Sequence, residues 1–212
     1  MRKRFLAAVF AALAAAALAA PALAAPPVLP RAGAKGKWIV PPKKLPSVRL
    51  DNRAGRLDLL FTALKEAPNE ATAQAIEQRI WAIWMHSRSD TVNLLMSRVN
   101  KAVEEKDLDL ALTLLDAVVK IRPDYAEGWN RRATIYFMKK DFGRSIADIS
   151  HVLKLEPRHF GALSGLGVML QDIGDDKQAL EVYRRALAVD PHLKHIPAMV
   201  KSLTVKVEGK EI

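Results

Sequence analysis

The chain offers few residues whose type and spacing would support catalysis. His192 and His195 are three apart and could present two imidazoles to one metal ion, but no carboxylate or third imidazole follows at a matching interval. Gly165-Leu166-Gly167 lacks the third glycine of a dinucleotide fingerprint, because position 170 is leucine, and no strand precedes it. Ser164 beside Gly165 is outside the G-x-S-x-G frame of a nucleophile elbow. Asp175-Asp176 and Glu104-Glu105 fall in or near turns, where paired carboxylates are solvated. His86, His151 and His159 stand alone, as surface or packing residues. Cysteine is absent, which removes disulfides, thiolate metal sites and a thiol nucleophile. The expectation is no catalytic residue, no metal and no cofactor, so function rests on binding.

Charge narrows what is bound. The formal net charge of the 212 residues is +10. Residues 1–24 carry Arg2, Lys3 and Arg4 with no acid, and residues 25–56 carry eight basic side chains against Asp51. Residues 57–212 hold 22 basic and 22 acidic side chains. Nucleic acid is therefore not an expected partner, since net charge supports no basic face on the folded part.

The basic start, the apolar run Phe5–Ala20 and the small residues of Ala22-Leu23-Ala24 read as a secretory signal peptide cleaved after Ala24. Its alanine-rich composition places the product in a bacterial periplasm or outside the cell. Residues 25–56 contain Pro26, Pro27, Pro30, Pro41, Pro42 and Pro46 and read as an extended basic linker or tail. Within it, Lys37-Trp38-Ile39-Val40 sets an indole among lysines. Trp38 is either docked on the protein's own helices or part of a motif for a partner or an anionic surface.

Residues 57–91 read as a helical hairpin. Leu57, Leu60, Phe61 and Leu64 share a helical face, Pro68 ends that helix, and Asn69 caps the next. Ala73, Ile76, Ile80, Ile83 and Trp84, widened by Trp81, make an apolar face broad enough to need cover on more than one side. Beyond it a 34-residue step governs the chain. Prolines recur at 123, 157 and 191, and aspartates at 107, 141 and 175. The best-preserved unit is Ala126–Pro157. After Pro191, residues Leu193, Ile196, Val200, Leu203 and Val207 keep helical spacing opposite Lys194, Lys201 and Lys206, as a terminal cap would.

These residues resemble the tetratricopeptide repeat, whose period is 34. Taking repeats as 92–125, 126–159 and 160–193, the family's first large position is Leu95, Trp129 and Leu163. Its small positions are Val99, Ala133 and Gly167 in the first helix and Ala111, Ser145 and Ala179 in the second. Arg98 and Arg132 depart from the pattern, standing where the family prefers leucine, whereas Leu166 conforms. The hairpin 57–91 looks like a degenerate fourth member, and residues 194–212 form the capping helix and tail. The resemblance implies an all-α, right-handed α-solenoid of stacked helix-turn-helix pairs, similar to small exported bacterial members of the family.

The resemblance also implies a concave groove lined by the first helix of each pair. Carried over by position, its residues are Asn93, Met96, Asn100, Glu127, Asn130, Arg131, Thr134, Phe137, Ser164, Val168 and Gln171. Asparagines can hydrogen-bond an extended backbone as donor and acceptor, and Arg131 can pair with a carboxylate. Some members grip a terminal carboxylate with basic residues, but the matching positions are Met96, Gly161 and Gly165. The expected partner is therefore a protein or peptide in a mixed polar and apolar groove, possible envelope assemblies included. The competing reading is attachment to anionic membrane or cell-wall polymer through residues 25–56. If the register is right, Ala133 packs at the helix crossing. Ala133→Leu is then expected to lower stability by roughly 1–3 kcal/mol through overpacking, read as a fall in the thermal midpoint.

Overall fold

The computed structural model describes residues 53–209. The signal segment, its cleavage point after Ala24, Trp38 and most of the basic tail lie outside those residues. The described chain forms α1 (Arg53–Lys65), α2 (Glu70–Met85), α3 (Asp90–Glu104), α4 (Leu108–Ile121), α5 (Ala126–Met138), α6 (Phe142–Leu155), α7 (Phe160–Asp172), α8 (Asp176–Val189) and α9 (Ile196–Glu208). α1 starts at Arg53, ahead of the apolar spacing that begins at Leu57, so the end of the stretch read as tail is helical.

The pairs α3–α4, α5–α6 and α7–α8 stack in chain order as an α-solenoid. Each turn inside a pair is built alike. Lys106, Lys140 and Gly174 take left-handed φ values of 61°, 62° and 86°. The next N–H, from Asp107, Asp141 or Asp175, then reaches back to the carbonyl of Ala102, Tyr136 or Leu170. This closes the first helix with a Schellman bond. The same aspartates open the second helix, their Oδ1 accepting from Leu110 N, Arg144 N and Gln178 N at 2.9, 3.1 and 3.0 Å. One residue thus ends one helix and starts the next.

Small residues set the closeness of each pair. A Cβ at Gly167 would lie 2.3 Å from the Tyr183 ring. Ala133 is fully buried, and the Ser145 hydroxyl donates to its carbonyl at 2.7 Å across the crossing. Arg132 explains its departure from the family pattern. Its guanidinium grips both Asp148 oxygens at 2.8 Å, takes Asp116 of the preceding pair at 2.7 Å, and lies over Trp129. A forked cation here joins two pairs as a leucine would, by directed bonds in place of bulk. At the far end α9 packs Ile196 and Leu203 on Leu180 and Tyr183. Lys206 pairs with Asp176 and Arg184 with Glu208, so the cap is apolar inside and charged outside.

The α1–α2 hairpin does not precede α3 as a fourth stacked pair. Leu57, Phe61, Leu64, Ala73, Ile80 and Trp84 form one cluster with Phe160, and Val189 and Leu193 pack against it. α2 therefore lies along the edge formed by the inter-repeat loops. Reading α2 forward, Glu70 meets Lys194 after the last repeat, Trp81 meets Gly161, Trp84 meets His159, and Met85 meets Tyr125 and Arg131. Beyond the helix, Ser87 meets Arg122 and Asn93. The hairpin lacks the closing proline and small positions that stacking requires, while its wide apolar face needs the cover this edge supplies.

The left-handed turn makes a direct prediction. Lys140 is exposed and has a side chain where only glycine is free of steric cost. Lys140→Gly should raise stability by about 0.5–1 kcal/mol, seen as a higher urea midpoint, and Lys140→Ala should give no gain.

Candidate functional site

The candidate residues lie on α3, α5 and α7 and fall into two groups. The first group is committed inside the protein. Asn93 Oδ1 accepts from the Ser87 hydroxyl at 2.7 Å and from Ser87 N at 3.3 Å, fixing the loop between α2 and α3. Met96 is 5% exposed and belongs to the core of the first pair. Ser164 is buried and donates to the Phe160 carbonyl at 2.8 Å. Asn130 is buried and donates to Glu127 Oε2 at 3.0 Å. Arg131 Nε donates to Glu127 Oε1 at 2.7 Å, and its Nη2 lies 3.5 Å from the sulfur of Met85. The carboxylate that Arg131 pairs with is thus the chain's own.

Glu127 is the centre of this group and has no solvent exposure. Burial by itself would push its carboxyl up; His159 and the Arg131 guanidinium outweigh burial and hold it below the ordinary range. His159 is equally buried. Its Nδ1 accepts from Ala162 N at 3.1 Å and caps α7, so the ring proton sits on Nε2, 3.4 Å from Glu127 Oε2. Trp84 lies flat on the imidazole at 4.1 Å between centroids, and Trp81 meets it edge-on at 5.4 Å. His159 Nδ1 is engaged, Nε2 is sealed against Glu127 with no exposure, and the ring is roofed, which gives the cluster no approach for a substrate. It braces α2, α5 and α7 together.

The second group is Asn100, Thr134, Phe137, Val168 and Gln171, all half-buried. Thr134 Oγ1 donates to the Asn130 carbonyl at 3.0 Å, and Gln171 Oε1 accepts from the Tyr183 hydroxyl at 2.8 Å. Phe137 packs on Phe142, with centroids 5.8 Å apart, and Val168 packs against the core of the third pair. Near them at the ends of the first helices stand Met138, 49% exposed, and the exposed acids Glu104 and Asp172. These side chains are the part of the first-helix face that α2 leaves uncommitted by buried charge.

The sequence pointed to neither Glu127 with His159 as a buried pair nor the roof over them. One local signal was available. His159 directly precedes α7, where a side-chain acceptor is required, and Glu127 stands four residues before Arg131 on one helix face.

A family model described as tetratricopeptide repeat matches residues 161–193. A TPR repeat-containing protein of Rhizobium etli is 43% identical over 154 residues, covering 73% of this chain and 76% of that protein. Small glutamine-rich tetratricopeptide repeat-containing protein 2 of Saccharomyces cerevisiae is 28% identical over 91 residues, or 43% of this chain, which spans only 26% of that protein. Among solved structures, the first TPR domain of Spaghetti (RPAP3) bound to the HSP90 peptide SRMEEVD is 19% identical with a TM-score of 0.53, covering 58% of this chain and 96% of its own. The TPR2B domain of yeast Sti1 in a pHsp70 complex is 17% identical with a TM-score of 0.52, covering 56% and 99%. At such identities the structural likeness speaks to the fold.

The buried pair can be tested by removing its acid. Glu127→Ala strands the Arg131 cation and the His159 proton in a closed interior, with an expected loss of about 3–5 kcal/mol. Lys101→Ala, which breaks the exposed Lys101–Glu105 pair, should cost under about 0.5 kcal/mol. Urea unfolding of both variants makes the comparison.

Proposed function

The chain belongs to the tetratricopeptide repeat family, and we propose that it is a non-enzymatic scaffold holding a protein or peptide segment along Asn100, Thr134, Phe137, Val168 and Gln171. The observation that carries this reading is the division of the first-helix face. Glu127, Asn130, Arg131 and Ser164 are spent on internal bonds, whereas the second group keeps partial exposure beside Met138. Amide, hydroxyl and aromatic groups in a row suit an extended segment with apolar side chains. The neighbour's peptide SRMEEVD is acidic. Here the one arginine of the candidate set is already paired by Glu127, and exposed charges of both signs, Lys101 and Lys140 with Glu104 and Asp172, flank the face. This supports a segment recognised mainly by its backbone and apolar side chains over an acidic terminus.

The basic, apolar and small-residue pattern of residues 1–24 supports export, with cleavage after Ala24 and action in the periplasm or outside the cell within an envelope complex. A second reading follows from the charge distribution. The excess of cations in 25–56 over a balanced body supports attachment to anionic lipid or cell-wall polymer through that segment. Deleting residues 25–52 would then abolish salt-sensitive sedimentation with anionic vesicles.

Cross-linking capture from envelope extract, followed by affinity measurement on the captured segment, tests the groove. Phe137→Ala is expected to weaken binding by about 30-fold, the effect of losing a central aromatic anchor worth about 2 kcal/mol. Lys154→Ala, an exposed site on α6, should leave it unchanged. Equal affinities for wild type and Phe137→Ala would remove this face from the function.

A further inference from the structure

The two halves of α2 are seated by different chemistry. The C-terminal half is held by rings, with Trp84 on His159 and Trp81 edge-on to Phe160. The N-terminal half meets residues 190–195, the loop after α8, through carboxyl groups. Asp190 is fully buried in that loop. Its Oδ1 accepts from His192 N at 2.9 Å, and among the described residues its Oδ2 has no hydrogen-bond donor. Ile76 and Ile80 of α2 share a cluster with Val189, which sets the half-buried Glu77 beside Asp190 as the group in position to supply one.

Two neighbouring carboxylates, one buried and one half-buried, cannot both be charged without strong repulsion. A single proton between them removes the repulsion and gives Asp190 Oδ2 its missing donor. The surrounding charges do little to cancel a second negative charge. Lys194 is the cation of this loop, and its ammonium lies 2.7 Å from Glu70 Oε1, two turns back along α2. His192 borders both Glu70 and Asp190. α1, also packed in this cluster, directs Asp58 to Arg158 at 2.6 Å.

We propose that Glu77 and Asp190 form a proton-sharing latch that fastens the N-terminal half of α2 to the last repeat and loosens when the shared proton is lost. Burial, followed by the charge and hydrogen bond of Asp190, pushes the Glu77 carboxyl up to about 7. Burial raises Asp190 as well. The two titrate as one unit. The docked form binds a proton that the undocked form, with an ordinary carboxyl near 4.5, gives up. Docking is therefore fully supported below the ordinary carboxyl range, and that support is lost as pH rises through about 7.

Hydrogen–deuterium exchange of the full chain, corrected for intrinsic rates, reads the opening of residues 70–80 directly. Between pH 6 and pH 8 the wild-type opening constant should rise by up to about tenfold. Glu77→Gln, which carries a permanent donor and no charge, should change by less than about twofold over the same range. His192→Gln should keep the wild-type rise. An equal rise in Glu77→Gln, no rise in wild type, or a rise abolished by His192→Gln would overturn the proposal. Should Glu77→Gln fail to fold, a carboxyl carbon-13 titration of wild type decides. A Glu77 midpoint near 7 supports the latch and one near 4.5 refutes it.

Discussion

Trp84 lies flat on His159, 4.1 Å away and tilted by only 8°, with neither ring open to water. A helix carrying Trp81, Trp84, Ile80 and Ile83 cannot leave that face wet. Burying each large side chain contributes about 1.5–3 kcal/mol. His159 can take the load because its other duties are settled: Nδ1 caps α7, and Nε2 points at Glu127. Glu127 in turn keeps its charge because His159 and Arg131 outweigh its burial, and Asn130 completes its bonds. The hairpin, the start of α5 and the start of α7 thus hold one another in place.

The same period that builds the solenoid builds this edge. Tyr125, His159 and Leu193 are spaced 34 residues apart and stand just before α5, just before α7 and past α8. Each meets the hairpin differently. Tyr125 donates its hydroxyl to the Met85 carbonyl at 2.8 Å, His159 stacks on Trp84, and Leu193 joins the apolar cluster. Register fixed by core packing therefore also fixes a row of docking points for a single helix. α2 crosses them in reverse order, from the last loop to the first.

Much of the fold was legible because it is decided locally. Aspartates at 107, 141 and 175 read as caps and are caps, since an N-cap needs only its own next three residues. Asn69 was equally plain, accepting from Thr72 N at 2.9 Å. The capping helix α9, with Pro197 in its first turn, followed from one apolar stripe. The placement of α1 and α2 was not legible, because a wide aromatic face says that cover is needed and not which surface supplies it. Arg131 and Asn130 carried the chemistry of recognition in sequence. Whether that chemistry faces outward depends on Glu127, whose burial comes from α2 and α7, far away in the chain. Arg132 is a similar case, intelligible only once Asp116 and Asp148 are seen on two different helices.

What is left for a partner is the part of the first-helix face that the internal network does not use. That conclusion stands or falls with the seating of α2 on the inter-repeat loops. Nuclear Overhauser contacts from the Trp84 indole in the full-length chain test it most directly. The account predicts strong contacts to the His159 ring and to Phe160, with His159 protons shifted by the stacked indole. Contacts from Trp84 to Leu94 and Arg98 of α3 instead, as a hairpin stacked ahead of the first repeat would give, would contradict it.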